Sequence, residues 1–165
     1  MKKTILIFCL SSILIDLMLF GQDNNIEAFT HPLFDIKQNI SIYTAPTLYY
    51  KELKADTEAG WIVTIKDKRD NYFQIDIEDL DLYNIWVHKG DVGIVIQNYD
   101  SITIPVYNEP NTNSYKSSYI YESCIGLIYD ISDKMLFLHI IKGNESYFGW
   151  VERKYLCGSP YTTCN

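Results

Sequence analysis

Positive charge is in short supply in this sequence of 165 residues, which has 14 Lys and Arg against 21 Asp and Glu and a net charge of −7. An acidic chain repels the phosphates of nucleic acids and the headgroups of anionic membranes. The composition therefore argues against both as partners. The length fits one domain or two small ones.

Residue combinations that perform catalysis are also lacking. Nucleophilic hydrolysis needs a Ser or Cys with a base within reach and a third group that orients the base. Cys124 and His139 lie in the same part of the chain, but no recognisable motif supplies the orienting Asn or Asp. We therefore predict that this protein is not an enzyme.

Glycine is sparse, which argues against two kinds of ligand loop. Gly90 and Gly93 are too few for a phosphate-binding loop, and a turn and a strand kink explain them. The carboxylates between Asp76 and Asp81 lack the glycine that a calcium loop needs, and strand alternation divides them between two faces. We interpret this segment as a solvated acidic turn, and we predict no metal and no cofactor.

A long apolar stretch occurs only at the start of the sequence. Lys2 and Lys3 precede Thr4 to Phe20, and Gly21 is a small residue at a plausible cleavage edge. The stretch is short for a membrane span, and Asp16 within it would cost roughly 2.5 kcal/mol or more at mid-membrane. We predict a signal peptide over the first 21 residues rather than a retained anchor, and an exported protein, periplasmic or extracellular, without stable membrane insertion. Cleavage of the signal peptide would remove two Lys and one Asp, which changes the net charge from −7 to −8.

Of four cysteines, three would remain after this cleavage: Cys124, Cys157 and Cys164. Export permits disulfides. Cys157 and Cys164 bracket a turn with Gly and Pro, and a disulfide between them would close a small loop and hold the C-terminus in place. Cys124 has apolar neighbours, so we interpret it as a buried free thiol rather than a reactive one.

What the sequence does contain is a pattern of short strands that occurs twice. Three pairs of residues recur at one constant spacing of 64 positions: Tyr43 and Tyr107, Pro46 and Pro110, Trp86 and Trp150. Both segments consist of alternating or β-branched runs between polar turns, which is typical of antiparallel strands. The connection over residues 97–101 is short, so the two units should pack together. The predicted boundaries are 22–39 for a lead-in arm, 40–98 for the first unit and 99–165 for the second.

The constant spacing also predicts which side chains of each central strand face the core. It aligns two inward-facing sets, Phe73, Ile75 and Ile77 in the first unit with Phe137, His139 and Ile141 in the second. His139 is then a core histidine. The outward face of the second strand would be apolar, with Leu136, Leu138 and Ile140, and would need a cover from the first unit or from a partner.

A unit with Tyr-x-x-Pro, a long polar loop, several short strands and a late Gly-Trp-Val resembles the bacterial Src-homology-3-type (SH3b) domain. Gly149-Trp150-Val151, followed by Tyr155-Leu156, matches the closing motif of that family, whereas Ile85-Trp86-Val87 has Ile in place of Gly. The resemblance covers residues 40–156. It implies an all-β chain of two tandem SH3-like, partly open β-barrels packed through a short linker. A single undivided sheet would contradict two separate barrels.

The resemblance also implies an exported binding module, because such domains often accompany peptidoglycan-processing enzymes, although the fold does not fix a ligand. Small barrels bind extended ligands on a shallow aromatic groove. Aromatic residues reach 15% of this chain, with 14 Tyr. The candidate ligand-binding residues are Tyr49, Tyr50, Tyr72 and Trp86 in the first unit, and Tyr115, Tyr147 and Trp150 in the second. For Trp86 and Trp150 a role in the core is an equal alternative.

Two functions stay open from the sequence. The first is a non-catalytic module that recognises a cell-wall peptide, a glycan or an envelope protein. The second is an acidic inhibitor or immunity protein that binds a basic wall-degrading toxin or enzyme, since the net charge would steer a cationic partner. The second function would place an acidic surface at Asp76, Glu78, Asp79 and Asp81.

Overall fold

The computed structural model describes residues 25–30, 39–46, 50–54, 60–98, 100–143 and 145–158. The predicted signal peptide and Cys164 lie outside these ranges. Within them the chain forms β-strands and two single-turn 3-10 helices, Glu78–Leu80 and Arg153–Tyr155. The strands are β1 (Ile26–Thr30), β2 (Asn39–Tyr43), β3 (Tyr50–Lys54), β4 (Ile62–Arg69), β5 (Tyr72–Ile77), β6 (Leu82–His88), β7 (Val92–Ile96), β8 (Ile104–Tyr107), β9 (Lys116–Ile120), β10 (Cys124–Ile131), β11 (Met135–Lys142), β12 (Glu145–Glu152) and β13 (Leu156–Cys157). The predicted all-β class is confirmed.

Strand β5 illustrates why this sequence forms sheet. Phe73, Ile75 and Ile77 are fully buried, and Gln74 and Asp76 between them are only half-buried. This alternation places one face of the strand on the core and the other toward solvent. A two-residue turn at Asp70 and Asn71 connects β4 to β5, and Asp70 has the positive φ of 50° that such turns require.

The described strands form one antiparallel sheet that is not closed into a barrel. The strand order is β3-β2-β6-β5-β4-β1-β7-β10-β11-β12-β8-β9, and β13 also pairs with β7. Strand β7 joins the two halves, because Phe29 of β1 is opposite Gly93 while Gly126 of β10 is opposite Ile94. The prediction of two separate barrels is therefore corrected: hydrogen bonds run from one half into the other without a break.

Strand β1 comes from the segment predicted as a lead-in arm, and it lies in the middle of the sheet. It pairs with β4 on one side and with β7 on the other. Ala28 and Phe29 have no exposed surface. A single cluster of buried apolar side chains then extends through both halves, from Ile26 to Val151. The two halves thus share a core as well as a sheet.

The short connection between the halves is held by one buried amide. Asn98 is nearly inaccessible, and its Nδ2 donates a hydrogen bond to the carbonyl oxygen of Ile102 at 2.6 Å. The backbone amide of Ile102 donates in return to Asn98 Oδ1 at 2.9 Å, and that of Asn98 donates to Ser123 Oγ at 2.9 Å. A buried polar side chain with all these partners fixes the chain direction at this point.

The backbone register repeats at the tyrosine–tryptophan pairs but not along the central strands. Tyr43 is opposite Trp86, and Tyr107 is opposite Trp150, as the constant spacing predicts. However, Val87 is opposite Phe73 whereas Val151 is opposite Leu136, so the central strand of the second half is displaced by one residue.

This displacement reverses the predicted faces, because a one-residue slip moves every side chain of a strand to the other side. The residues that are fully buried in β11 are Leu136, Leu138 and Ile140. Phe137, His139 and Ile141 lie on the opposite face and are half-buried. The predicted core position of His139 and the predicted outward position of the two leucines are therefore wrong.

Candidate functional site

The displaced register places aromatic side chains together on the outer face of β10, β11 and β12. Phe137 is opposite Trp150, and His139 is opposite Phe148. The His139 and Phe148 rings are stacked at 4.3 Å and 8°, and Trp150 lies 5.3 Å from Phe137. Tyr129 completes the group, with its ring 5.4 Å from Phe148. We call these five residues the aromatic face.

The aromatic face is open to solvent at Phe148, whose exposed fraction is 49%. A phenyl ring exposed to this extent beside four further aromatic rings is a contiguous apolar surface, and such surfaces often mark binding sites. His139 belongs to this surface, and burial lowers the pKa of its imidazole. The ring is therefore neutral at physiological pH, which suits its stacking on Phe148.

A cleft of about 520 Å³ lies next to the aromatic face, between the two halves. It is lined by Asn71, His88, Lys89, Tyr129, Asp130 and Phe137. Two backbone hydrogen bonds fix its walls. The amide of Lys89 donates to the carbonyl of Asn71 at 2.9 Å, and that of Gly90 donates to the carbonyl of Ile128 at 2.8 Å. The second of these bonds joins the first half to the second.

The wall of the cleft on the first half continues into a second aromatic group. The Tyr43 hydroxyl and His88 Nε2 share a hydrogen bond at 3.0 Å. The ring of Tyr72 lies 4.3 Å from that of His88 and 5.2 Å from that of Tyr43. Aromatic rings thus border the cleft on both sides, and each pair of this kind adds stability beyond the area that it buries.

Ion pairs in the cleft connect the halves. Lys68 Nζ lies 2.7 Å from Asp130 Oδ1 and donates a further hydrogen bond to the carbonyl of Ile131 at 2.6 Å. Lys89 Nζ is 4.0 Å from the same carboxylate oxygen. Two ammonium groups therefore surround one carboxylate, and this small region is positive on a chain whose net charge is −7.

The pKa of the Asp130 carboxyl is lowered. Burial acts in the opposite direction, but hydrogen bonds from Lys68 Nζ and from the backbone amide of Ile131, together with the charges of Lys68 and Lys89, outweigh it. These contacts favour the ionised form.

We expect Asp130 to stabilise the fold at neutral pH and to lose that effect in acid. Because its pKa is lower in the folded than in the unfolded chain, the contribution is complete above the unfolded value of about 4 and disappears as the pH falls through the folded value. Urea unfolding of wild type and Asp130→Asn across pH 2 to 7 checks this. The wild type should be more stable at pH 7, with the two curves converging in acid. A difference that does not depend on pH would contradict it.

The structure brings two of the predicted site residues, Tyr72 and Trp150, to the cleft or its aromatic border. Trp86 is only 9% exposed and packs within the first half. Tyr147 contacts the hydrophobic core and lies on the other face of β12 from Trp150, because it is opposite the buried Ile140. Tyr147 and Trp150 therefore lie on opposite faces of β12, and a role of Tyr147 in ligand binding stays a prediction.

The remaining predicted tyrosines of the described ranges, Tyr115 and Tyr50, belong to other elements. Tyr115 is 75% exposed in the connection between β8 and β9. Tyr50 begins β3, where its backbone pairs with Tyr43. Tyr49 lies outside the described residues.

Sequence reasoning did not select Tyr129, Phe137, Phe148 or Lys89. The alternation of Phe137 with His139 and of Phe148 with Trp150 was visible in the sequence. This alternation indicates one shared face of the two strands. Alignment of β11 with β5 of the first half assigned these residues to the wrong face.

The four predicted acidic residues differ in their contacts and exposure. Asp76 forms an ion pair with Lys66 at 3.2 Å and accepts a hydrogen bond from the amide of Asn84 at 2.8 Å. Glu78, Asp79 and Asp81 are exposed in or directly after the first 3-10 helix. Of the four predicted carboxylates, these three are therefore exposed, and Asp76 is engaged in contacts within the fold.

The cysteines differ in environment. Cys124 is free and packs against the core, and burial raises the pKa of its thiol to about 11. Cys157 is buried and disulfide-bonded. Because Cys164 lies outside the described residues, the pairing of Cys157 with Cys164 stays a prediction.

Two further classes of site were sought in the described ranges. Those ranges contain no group of three or more His, Cys, Asp or Glu side chains placed to hold a metal ion. They also contain no helix of the length and apolar character needed to cross a membrane.

Comparison with known proteins places the chain in no family. No family model matches it, and no curated protein matches it. Among solved structures, it is similar to NlpC2 from Trichomonas vaginalis, with 12% identity and a TM-score of 0.32 over 83% of this chain. The match covers 49% of that protein, so this chain spans about half its length. At this TM-score the similarity supports no conclusion on fold or function.

Proposed function

We propose that this protein is a non-catalytic, exported binding module of two tandem SH3-like units, which recognises a cell-wall or envelope ligand. The observation that supports binding is the aromatic face beside an open cleft. Its five rings contact one another, Phe148 is half-exposed, and polar side chains are within reach in the cleft. Clefts with apolar walls and a few polar groups are typical of ligand sites.

The tandem arrangement is supported by the order of strands in each half. In the first half a hairpin, β2–β3, is followed by the meander β4–β5–β6, whose last strand returns to pair with β2. In the second half the hairpin β8–β9 is followed by β10–β11–β12, whose last strand pairs with β8. Each closing contact is the same tyrosine–tryptophan pair. A duplicated unit that shares a central sheet accounts for both features.

The absence of catalysis is supported by the environment of the strongest nucleophile in the described ranges. Because burial raises its pKa to about 11, the Cys124 thiol stays protonated at neutral pH, and the thiol form is a weak nucleophile. Cys124 packs against the core, whereas His139 lies on the aromatic face, stacked on Phe148.

Retention on purified cell wall tests this function. We expect wild-type protein to be retained at low and at high salt, because apolar contact rather than charge would supply most of the affinity. Phe148→Ala should weaken retention about tenfold or more, a loss of about 1.4 kcal/mol or more that is typical of a central aromatic contact. The matched control is Tyr115→Ala, which removes an exposed ring outside the aromatic face. Equal loss in both variants, or no retention of the wild type, would contradict the proposal.

The second candidate function is the acidic inhibitor or immunity protein, and the exposed Glu78, Asp79 and Asp81 favour it. A positively charged enzyme or toxin would be attracted by these carboxylates and by the net charge of −7. The same retention experiment distinguishes the two functions. Failure to bind wall, with capture of a basic protein that is released by salt and lost in Glu78→Gln/Asp79→Asn, would favour the inhibitor.

A further inference from the structure

The Lys89 side chain is largely covered, and its ammonium makes a long ion pair. Its side chain is 18% exposed, and its ammonium lies 4.0 Å from Asp130 Oδ1, the oxygen that Lys68 already contacts at 2.7 Å. It also lies 5.5 Å from the centre of the Phe73 ring. Among the described residues, no atom accepts a hydrogen bond from this ammonium within 3.5 Å.

An anion placed close to the ammonium of a largely covered lysine side chain makes a charge-assisted contact, which is stronger than a contact between neutral groups. The cleft lining supplies the Lys89 ammonium and the Asp130 carboxylate, and Lys68 contacts the same carboxylate oxygen at 2.7 Å, so Asp130 is shared between two ammonium groups. Asn71 and His88 line the same cleft and offer polar groups to a second oxygen of a ligand. The site is therefore suited to one carboxylate.

A polyanion does not suit this protein, because the chain as a whole is negative and would repel it. The aromatic face also argues against a sugar ring, which stacks on an open aromatic face. Phe148 is stacked on His139 at 4.3 Å and 8°, and the Phe137 ring lies 5.9 Å away at 25°, so neighbouring rings occupy part of the ring surface of Phe148. Apolar peptide side chains make contacts of this kind.

We propose that Lys89 in the cleft binds the carboxylate of a peptide whose neighbouring apolar side chain contacts the aromatic face. This inference rests on the proposed binding function and specifies its ligand. The carboxylate would lie between Lys89 and the Tyr129–Phe137 wall. Asp130 contacts Lys68 at 2.7 Å but lies 4.0 Å from Lys89. The ligand carboxylate would give Lys89 a closer ion pair than Asp130 does.

The test is a nuclear magnetic resonance titration of the isotope-labelled full chain with N-acetyl-L-phenylalanine and with its amide. The two probes share the ring and differ only in the carboxylate. We expect the acid to shift signals of residues that line the cleft. The amide should bind at least about tenfold more weakly than the acid, because it lacks the charge-assisted contact. Equal binding of the acid and the amide would overturn the inference.

Variants at Lys89 separate ligand binding from a structural role. Lys89→Met keeps most of the apolar stem and should abolish the preference for the acid, while Lys89→Arg should retain it. The control is Lys142→Met, which removes an ammonium paired with Glu122 at 3.6 Å and absent from the cleft lining. A Lys89→Met protein that is less stable but keeps the preference for the acid would assign Lys89 to structure alone and overturn the inference.

Glucuronate provides the remaining arm of the test, because it presents a carboxylate on a sugar. Tighter binding of glucuronate than of N-acetyl-L-phenylalanine would overturn the assignment to a peptide. These results are independent of wall retention. A protein that is retained on wall but does not distinguish the acid from the amide loses only this inference, whereas a protein that is not retained loses the proposed function.

Discussion

Replacing Phe29 by Ala is expected to lower the free energy of unfolding by about 3 to 5 kcal/mol, the range for truncating a fully buried phenyl ring. Phe29 has no exposed surface, and its strand lies between β4 and β7 in the middle of the sheet. Its ring covers Gly93, where an added Cβ would be 3.1 Å from the Phe29 side chain. Because domains of this size are stable by only about 5 to 15 kcal/mol, the loss would be a large share of the total.

Urea unfolding followed by tryptophan fluorescence measures this change. Glu27→Ala is the matched control, because Glu27 lies on the same strand but is exposed, and it should change stability by about 0.5 kcal/mol or less. A loss below about 1 kcal/mol for Phe29→Ala would mean that β1 is not packed at the centre of the sheet.

Replacing Gly149 by Ala is expected to cost about 1 to 3 kcal/mol, the range for forcing an extra group into a packed core. A Cβ at this position would overlap Cγ1 of Val106 and approach the carbonyl oxygen of Tyr107 to 3.2 Å. Gly149 has no positive φ, so the cost is steric rather than conformational. The position that matches Gly149 in the 64-residue repeat holds Ile85.

Thermal and urea unfolding check the Gly149 prediction, with Ser146→Ala as the control at an exposed position of the same strand. The double variant Gly149→Ala/Val106→Ala should lose less stability than the sum of the two single losses, since the truncated Val106 no longer overlaps the new Cβ. Coupling of this sign is expected between residues in contact. Strictly additive losses would show that the strain arises elsewhere.

Local pattern was enough to predict the all-β class and the recurrence of the tyrosine and tryptophan positions. Alternation in β5 and the β-branched run of β4 specify strands without knowledge of their neighbours. Tyr43 with Trp86 and Tyr107 with Trp150 are opposite each other, as equal spacing requires. Local pattern does not predict which strand of the first half pairs with which strand of the second half.

The pairing of β1 with β7, and of β7 with β10, joins residues that are distant in the sequence. Such contacts depend on burial over the whole sheet. The sequence of a short segment such as residues 26–30 does not by itself indicate a place in the middle of the sheet. The single sheet therefore became visible only in three dimensions.

The candidate site was missed for a different reason, a difference of one residue between the halves. Phe73 is opposite Val87, and the residue opposite Val151 is Leu136 rather than Phe137. Exact alignment of the halves placed both Phe137 and His139 in the core. The aromatic composition indicated a recognition surface, but membership of that surface was decided by the register.

Chemical-shift mapping of soluble cell-wall fragments on the isotope-labelled protein tests most directly whether the aromatic face and the cleft form a binding site. We predict that the largest changes fall on Tyr129, Phe137, His139, Phe148, Trp150 and the neighbouring Lys89, and that Phe148→Ala removes them. Changes centred on Glu78, Asp79 and Asp81, or no changes at saturating fragment, would contradict this assignment.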